Sequence, residues 1–410
     1  MKSIMMMFAM LSMVAVTLAG AGESPQFRGP DRDGRFDEQG LMKAWPEGGP
    51  ALVWTAKDLG QGYASPSVAG GKIYVPGMLD DENGYIFILN LDGVVEGKIL
   101  YGKETLDGQA PGPRSTPTLD GGRLYIESGL GVLYCIDLAK NAILWQVNIL
   151  ERFKGTNNTW TLAESVLIDG DRVICTPGGP DAGVVALDKT TGETVWTTKG
   201  LSDQASYCSP DIVVHNGHRI LLTETAKLVV GIDADTGALL WTHEHTTDYD
   251  IHAVTPLYQD GLVYFSGGYG SGGGALELSQ DGASVTVKWT DKNLDCQHHG
   301  VVLADGYLYG TGHKNGKLMC LEMATGKLMW ESKDVRQGVT IYADGMLYIY
   351  EGPKSGIVDL VKATPAGCER TGTFTVTEGS KNHWAHPVIA NGRLYIRHGE
   401  VLIAYDIAAK

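Results

Sequence analysis

Val230-Gly231-Ile232-Asp233-Ala234-Asp235-Thr236-Gly237-Ala238-Leu239-Leu240-Trp241-Thr242 is the stretch from which the rest of this sequence can be read. An alternating strand ends on an acidic residue, a tight reversal follows, and a second strand closes on an indole. Gly237 stands where the reversal needs a positive φ, and the Asp233 carboxylate is placed to accept N–H groups of the turn. Two further copies are as sharp: Asp188-x-x-Thr191-Gly192 leads to Trp196, and Glu322-x-x-Thr325-Gly326 leads to Trp330.

Outward from these copies the same rhythm continues in weaker form. An apolar pair after a Gly-containing turn recurs as Ile73-Tyr74, Leu124-Tyr125, Val173-Ile174, Ile220-Leu221, Val263-Tyr264, Leu308-Tyr309, Leu347-Tyr348 and Leu394-Tyr395. The spacing of roughly 40 to 50 residues is that of four-stranded propeller blades. An aromatic closes each unit in turn: Tyr101, Trp145, Trp196, Trp241, Trp289, Trp330 and Phe374. The last repeat ends at Asp406-Ile407 without such a strand, and Leu52-Val53-Trp54-Thr55, ahead of the first repeat, matches the missing piece. A closed ring must join its ends, and one N-terminal strand lent to the last blade covers a sheet edge. The expected fold is an all-β, eight-bladed β-propeller over residues 51–410, preceded by an extended segment at 22–50.

The chain opens with Lys2, an apolar run from Ile4 to Leu18 and the small residues Ala19-Gly20-Ala21, the pattern of an export signal at residues 1–21 cleaved after Ala21. That predicts a periplasmic or secreted protein. The run is shorter than the ~20 residues of a spanning helix and none later is longer, so no transmembrane anchor is expected in the mature chain. A net charge of -15 argues against nucleic acid or anionic lipid as a partner, since both call for clustered cations. Cys135, Cys175 and Cys320 lie in apolar strand-like runs, which favours buried thiols over disulfides, and no Cys-x-x-Cys-His attaches a haem.

These repeats resemble the pyrroloquinoline-quinone-like superfamily, whose signature is the Asp-x-x-Thr-Gly turn followed by a Trp at the end of the fourth strand. The resemblance implies that Trp54, Trp145, Trp196, Trp241, Trp289 and Trp330 dock between neighbouring blades. It also implies one of two functions. In quinoprotein dehydrogenases the quinone lies in a central funnel with a calcium ion, an Asp base and an adjacent Cys-Cys disulfide. In the non-catalytic branch, which includes the periplasmic lipoprotein of the outer-membrane assembly machinery, the disc is a docking platform. This chain has no adjacent cysteine pair and no long insertions between repeats, so the non-catalytic branch, without cofactor, is the reading taken. A monomeric binding or scaffolding module with a protein or small-molecule partner follows from it.

Alignment on the Gly turn puts Ser65, Thr116, Glu164, Ser209, Thr255 and His386 at one equivalent position before the innermost strand. Near it stand Tyr63, Arg114, Trp160, Tyr207, His252, His298 and Trp384, expected to rim one mouth of the channel as the binding site. Gln337 and His383 lie close by. The alternative is that all of these merely finish blade tips. No metal is expected: His298 and His299 would point to opposite faces of a strand. Asp31 to Gly34 and Leu79 to Gly84 lack the full calcium-loop pattern, and the Gly-rich run Gly267 to Gly274 reads as a hairpin loop. Asn157-Asn158-Thr159 fits a glycosylation acceptor but carries little weight in a bacterial protein, the source the leader suggests.

Overall fold

The computed structural model describes residues 22–106 and 109–410, so the export signal expected at residues 1–21 lies outside the described residues. Eight antiparallel sheets follow one another along the chain. The first seven blades span residues 67–103, 118–148, 167–197, 211–244, 257–291, 302–332 and 338–375. The eighth takes three strands from residues 388–406 and its outer strand, Ala51–Ala56, from the other end of the chain. That strand pairs antiparallel with Val401–Asp406, Leu52 opposite Tyr405 and Trp54 opposite Ala404. In the first seven blades the four antiparallel strands lie in sheet order as they do in sequence, and the first strands of the first, second and third blades, and of the sixth and seventh, touch around the axis.

The apolar core is not central. It is divided among the seams between blades: Leu133, Cys135 and Val147 of the second blade pack with Val173, Cys175 and Leu187 of the third, and Trp196 of the third with Leu221, Val230 and Ile232 of the fourth. The apolar pairs that carry the repeat are buried at these seams. All six cysteines are unpaired and five are buried.

The outer aromatics bind one blade to the next through the turn that precedes the following aromatic. Trp54 Nε1 donates to Leu91 O at 2.9 Å, Trp145 Nε1 to Lys189 O at 3.2 Å, Trp289 Nε1 to Met323 O at 2.9 Å and Trp330 Nε1 to Thr364 O at 2.7 Å. The rings of Trp145, Trp196 and Trp289 lie over Gly192, Gly237 and Gly326, where a Cβ would come within 3.0 Å of the indole. Trp241 belongs to one apolar cluster with Val263 and Leu276 of the fifth blade. In the turn itself, Asp233 Oδ1 accepts from Asp235 N, Thr236 N and the Thr236 hydroxyl, while Gly237 takes φ +75°.

Residues 22–50 are not simply an extended lead-in. Ser24 bridges Val68 on the innermost strand of the first blade, Pro25 O accepts from Leu119 N, and Arg35–Phe36 runs parallel to the innermost strand of the seventh blade as a fifth strand. The segment therefore enters the channel, turns over at residues 27–34 and leaves again, with Leu41 bridging Ala408 on the way to the outer strand. Two buried guanidinium groups anchor the turn. Arg32 donates to Pro210 O, Ser165 O and Val166 O, and Arg28 to Val301 O and Asp33 O. No helix among the described residues is long and apolar enough to cross a membrane.

Candidate functional site

The residues before the innermost strands of the first five blades and of the eighth form a belt. Ser65 N donates to Thr116 Oγ1 at 3.1 Å, Thr116 N to Ser165 Oγ at 2.9 Å, and Ser165 N to Ser209 Oγ at 2.9 Å, while Ser65 Oγ reaches His386 O and Thr255 Oγ1 reaches Ser209 O. Each hydroxyl ties its blade to the neighbour. The belt member in the third blade is Ser165, one residue on from the Glu164 that the aligned turns select. Glu164 is turned into the seam, where its Oε2 accepts from Thr176 N at 2.9 Å.

Above the belt lies a cavity of about 440 Å³. Its floor includes Phe27 at the tip of the leader, 5.0 Å from the His386 ring. Of the seven residues expected at the mouth, Tyr63, Arg114, Trp160, Tyr207, His298 and Trp384 line this cavity. His252 does not. Its neighbours Ile251 and Ala253 face the cavity, and its own fully buried ring turns outward, with Nδ1 at 2.7 Å from Glu224 Oε2. Gln337 also lines the wall, whereas His383 stacks on His398 at 3.8 Å in the seam of the last two blades.

The rim is a nearly continuous collar of rings. Tyr63 meets Trp384 at 5.5 Å and Trp384 meets His298 edge-on at 5.7 Å. On the other side Tyr207, Trp160, Tyr249, Tyr269 and His313 follow at successive centroid distances of 6.5, 5.7, 5.5 and 4.6 Å. Arg114 closes the gap between Tyr63 and Trp160, donating from Nε and Nη2 to Ala110 O. His298 and His299 lie in a connection, not a strand, and their rings sit 4.1 Å apart, so the opposite-face argument does not govern them. Burial lowers the His298 imidazole to about 4 and holds His299 and His386 well below the ordinary histidine value, which leaves all three neutral near pH 7.

Phe27, Tyr249, Tyr269 and His313 had not been singled out in the sequence. Tyr269 and His313 come from hairpins between second and third strands, and these open at the same mouth as the connections between blades. An aromatic inside the Gly-rich run was the available signal for Tyr269. That run is a true hairpin, but Gly272, Gly273 and Gly274 belong to its second strand, and a Cβ there would lie within 2.4 Å of facing backbone. The acidic loops at 31–34 and 79–84 are turns: Asp33 Oδ1 accepts from Arg35 N, and Asp81 accepts from Asn83 N and Tyr85 OH.

Belt, collar and leader together define a ring of eight blades whose channel is stoppered from within and open as a cup at one mouth. Residues 96–332 match the family described as outer membrane protein assembly factor BamB, and the chain belongs to that family. A relative of that description from Moranella endobia (strain PCIT) is 22% identical over 325 residues, 74% of this chain and 67% of the relative. The crystal structure of BamB from Moraxella catarrhalis superposes with a TM-score of 0.62 at 16% identity, covering 87% of this chain and 99% of the other. Quinohemoprotein alcohol dehydrogenase from Comamonas testosteroni gives 0.68 at 13% identity, with 95% and 81% covered. At these identities the structural likeness establishes the shared propeller fold.

Proposed function

We propose that this chain is a non-catalytic docking module of the cell envelope, exported through its N-terminal signal, that holds a protein partner by receiving one or two of its side chains in the aromatic cup. The observation that carries this reading is the composition of the cup wall. It presents aromatic rings, hydroxyls, amides and the Arg114 guanidinium, and among the described residues lining it there is no carboxylate. Aromatic rings around a stoppered concavity suit apolar or aromatic anchors, which supply most of the energy in protein interfaces.

A quinone with its calcium ion, the pair that the dehydrogenase resemblance would bring, needs anionic oxygen ligands for the cation and a carboxylate base. Among the described residues the wall offers neither, and membership of the assembly-factor family supports the platform reading.

The test places a photo-crosslinking residue at Gln337, inside the cup, and at Val214, exposed near the far end of the fourth blade's innermost strand, away from the cup mouth. Irradiated cells should yield a discrete envelope-protein adduct from position 337 alone, and that adduct should vanish when Arg114, Trp160 and Trp384 are replaced by Ala. An equal adduct from position 214, or one that survives the triple replacement in a folded protein, would overturn the site. Substrate-dependent reduction of an electron acceptor after addition of the quinone and calcium would overturn the non-catalytic reading.

A further inference from the structure

Behind the cup wall, outside the site just described, three titratable side chains meet. Glu224 ends the second strand of the fourth blade, His218–Glu224. His245 follows directly on that blade's outer strand, Leu239–Glu244, and His252 lies in the connection to the fifth blade. One potential ligand atom from each lies within 4.8 Å of the other two. Glu224 is 1% exposed, His252 0% and His245 9%, so the cluster is dry apart from one edge of the His245 ring.

The hydrogen bonding of this cluster is incomplete. Both carboxylate oxygens of Glu224 and all four ring nitrogens of the two histidines lack a hydrogen-bond partner among the described residues. Even the 2.7 Å approach of His252 Nδ1 to Glu224 Oε2 does not have the direction of a ring N–H donating to a carboxylate. Buried polar groups are nearly always satisfied, and orphaned atoms on each of three touching side chains point to a shared partner that takes one atom from each.

We propose that Glu224, His245 and His252 form a binding site for one divalent transition-metal ion of the zinc class. Two imidazoles and one carboxylate are a ligand set that suits zinc, with the fourth tetrahedral position left to water, whereas calcium and magnesium ask for a shell of oxygens. Ligand distances of about 2 Å put the donor atoms about 3.3 Å apart around such an ion, and the present separations need only small rotamer adjustments to reach that. His245, at the solvent edge, marks the way in.

The site has a structural consequence at the rim. The connection it pins carries Tyr249, a 66% exposed ring at φ +66° that stands edge-on to both Trp160 and Tyr269. A metal joining Glu224 to His245 and His252 closes this connection on itself and seats Tyr249 in the collar. The site stands on its own geometry, whether or not the cup takes a partner.

Untagged protein, stripped with a chelator and titrated with zinc by calorimetry, should bind one equivalent with micromolar or better affinity and melt at a higher temperature when loaded. Cobalt in its place should give the intense visible bands of a four-coordinate site. Glu224→Gln and His252→Gln should each weaken zinc binding more than tenfold, and His245→Gln, at the solvent edge, provides a third variant that perturbs packing least. His218→Gln, an exposed histidine on the same strand, should change nothing. Absence of zinc uptake by the native chain would overturn the proposal. So would uptake that His245→Gln or either buried variant leaves unchanged in a protein with native circular dichroism.

Discussion

Glu164 shows what a single buried side chain does to this ring. Its Oε2 accepts from Thr176 N, and among the described residues neither its Oε1 nor either oxygen of the nearby Glu127 has a partner. Burial raises both carboxyls above their ordinary value, and burial also brings Glu104 up to about 7 against the bonds from Tyr101, Gly129 and Thr105. A carboxyl whose folded value is raised contributes stability that is whole below its unfolded value, 4.5, and is lost as pH rises through the folded one. The buried histidines act in the opposite sense. His298 and His383, lowered to about 4 by burial, contribute stability that is whole above 6.5 and is lost as pH falls through 4. Above 6.5 only the carboxyls still act, so thermal stability should decline from about pH 6.5 to about pH 8. Glu164→Gln, which keeps the shape and places an amide at the unpartnered oxygen, should gain at least about 1 kcal/mol at pH 8 and little at pH 5. Equilibrium denaturation at the two values checks this, and an equal effect at both would refute it. None of these shifts was legible in the sequence, because desolvation depends on what the neighbouring blade places against the carboxyl. The one-residue difference between Glu164 and Ser165 likewise depends on which of two adjacent side chains faces the axis.

Blades are joined by aromatics seated on glycines, and this pairing was half visible in the chain. The Asp-x-x-Thr-Gly turn and the following Trp announce themselves within one repeat, but the partner of Trp54, Trp145, Trp196 or Trp289 is a glycine of the next repeat. Gly237 illustrates both demands: φ +75°, and a face that the Trp196 ring occupies so closely that a Cβ would sit 2.5 Å from it. Gly217 has a similar φ, +87°, and open space where its Cβ would be. Gly217→Ala should therefore cost about 1 kcal/mol of backbone strain, and Gly237→Ala should cost that plus a displaced indole, about 2 to 4 kcal/mol in all. Urea denaturation of the two variants gives the difference, and equal losses would show that the indole does not rest on the glycine. A second device at this scale was invisible beforehand. In six blades the residue before the Trp, namely Val53, Leu144, Val195, Leu240, Lys288 or Met329, is skipped in the pairing with the third strand. Such a bulge twists the outer strand and re-aims its side chains, here bringing the indole onto the neighbouring blade.

Closure of the ring is the property of the whole molecule, and it rests on Ala51–Ala56. Deleting residues 51–57 leaves the outer edge of Val401–Asp406 unpaired and removes the Trp54 contact with Leu91, so the shortened protein should aggregate or unfold at far lower denaturant than the intact chain. Size-exclusion chromatography and a melting curve check this, and a soluble monomer of unchanged stability would refute it. The blade count, the strand borrowed from the N-terminus and the positions of most rim residues followed from the sequence by itself. All of these repeat locally, and local turn chemistry and period-two burial are written into each copy. Three things were decided only by the tertiary structure. The leader plugs the channel because Arg28 and Arg32 find inward-facing carbonyls far away in sequence, at Val301, Ser165, Val166 and Pro210. His252 leaves the rim and joins Glu224 and His245, and Tyr249, Tyr269 and His313 complete the collar in its stead, over a floor that includes Phe27. Repetition reveals which positions are equivalent around an axis. Only the packed ring determines which side chain at each position turns toward that axis and which turns into the seam, because that choice is made by the neighbour's surface rather than by the residue's own repeat.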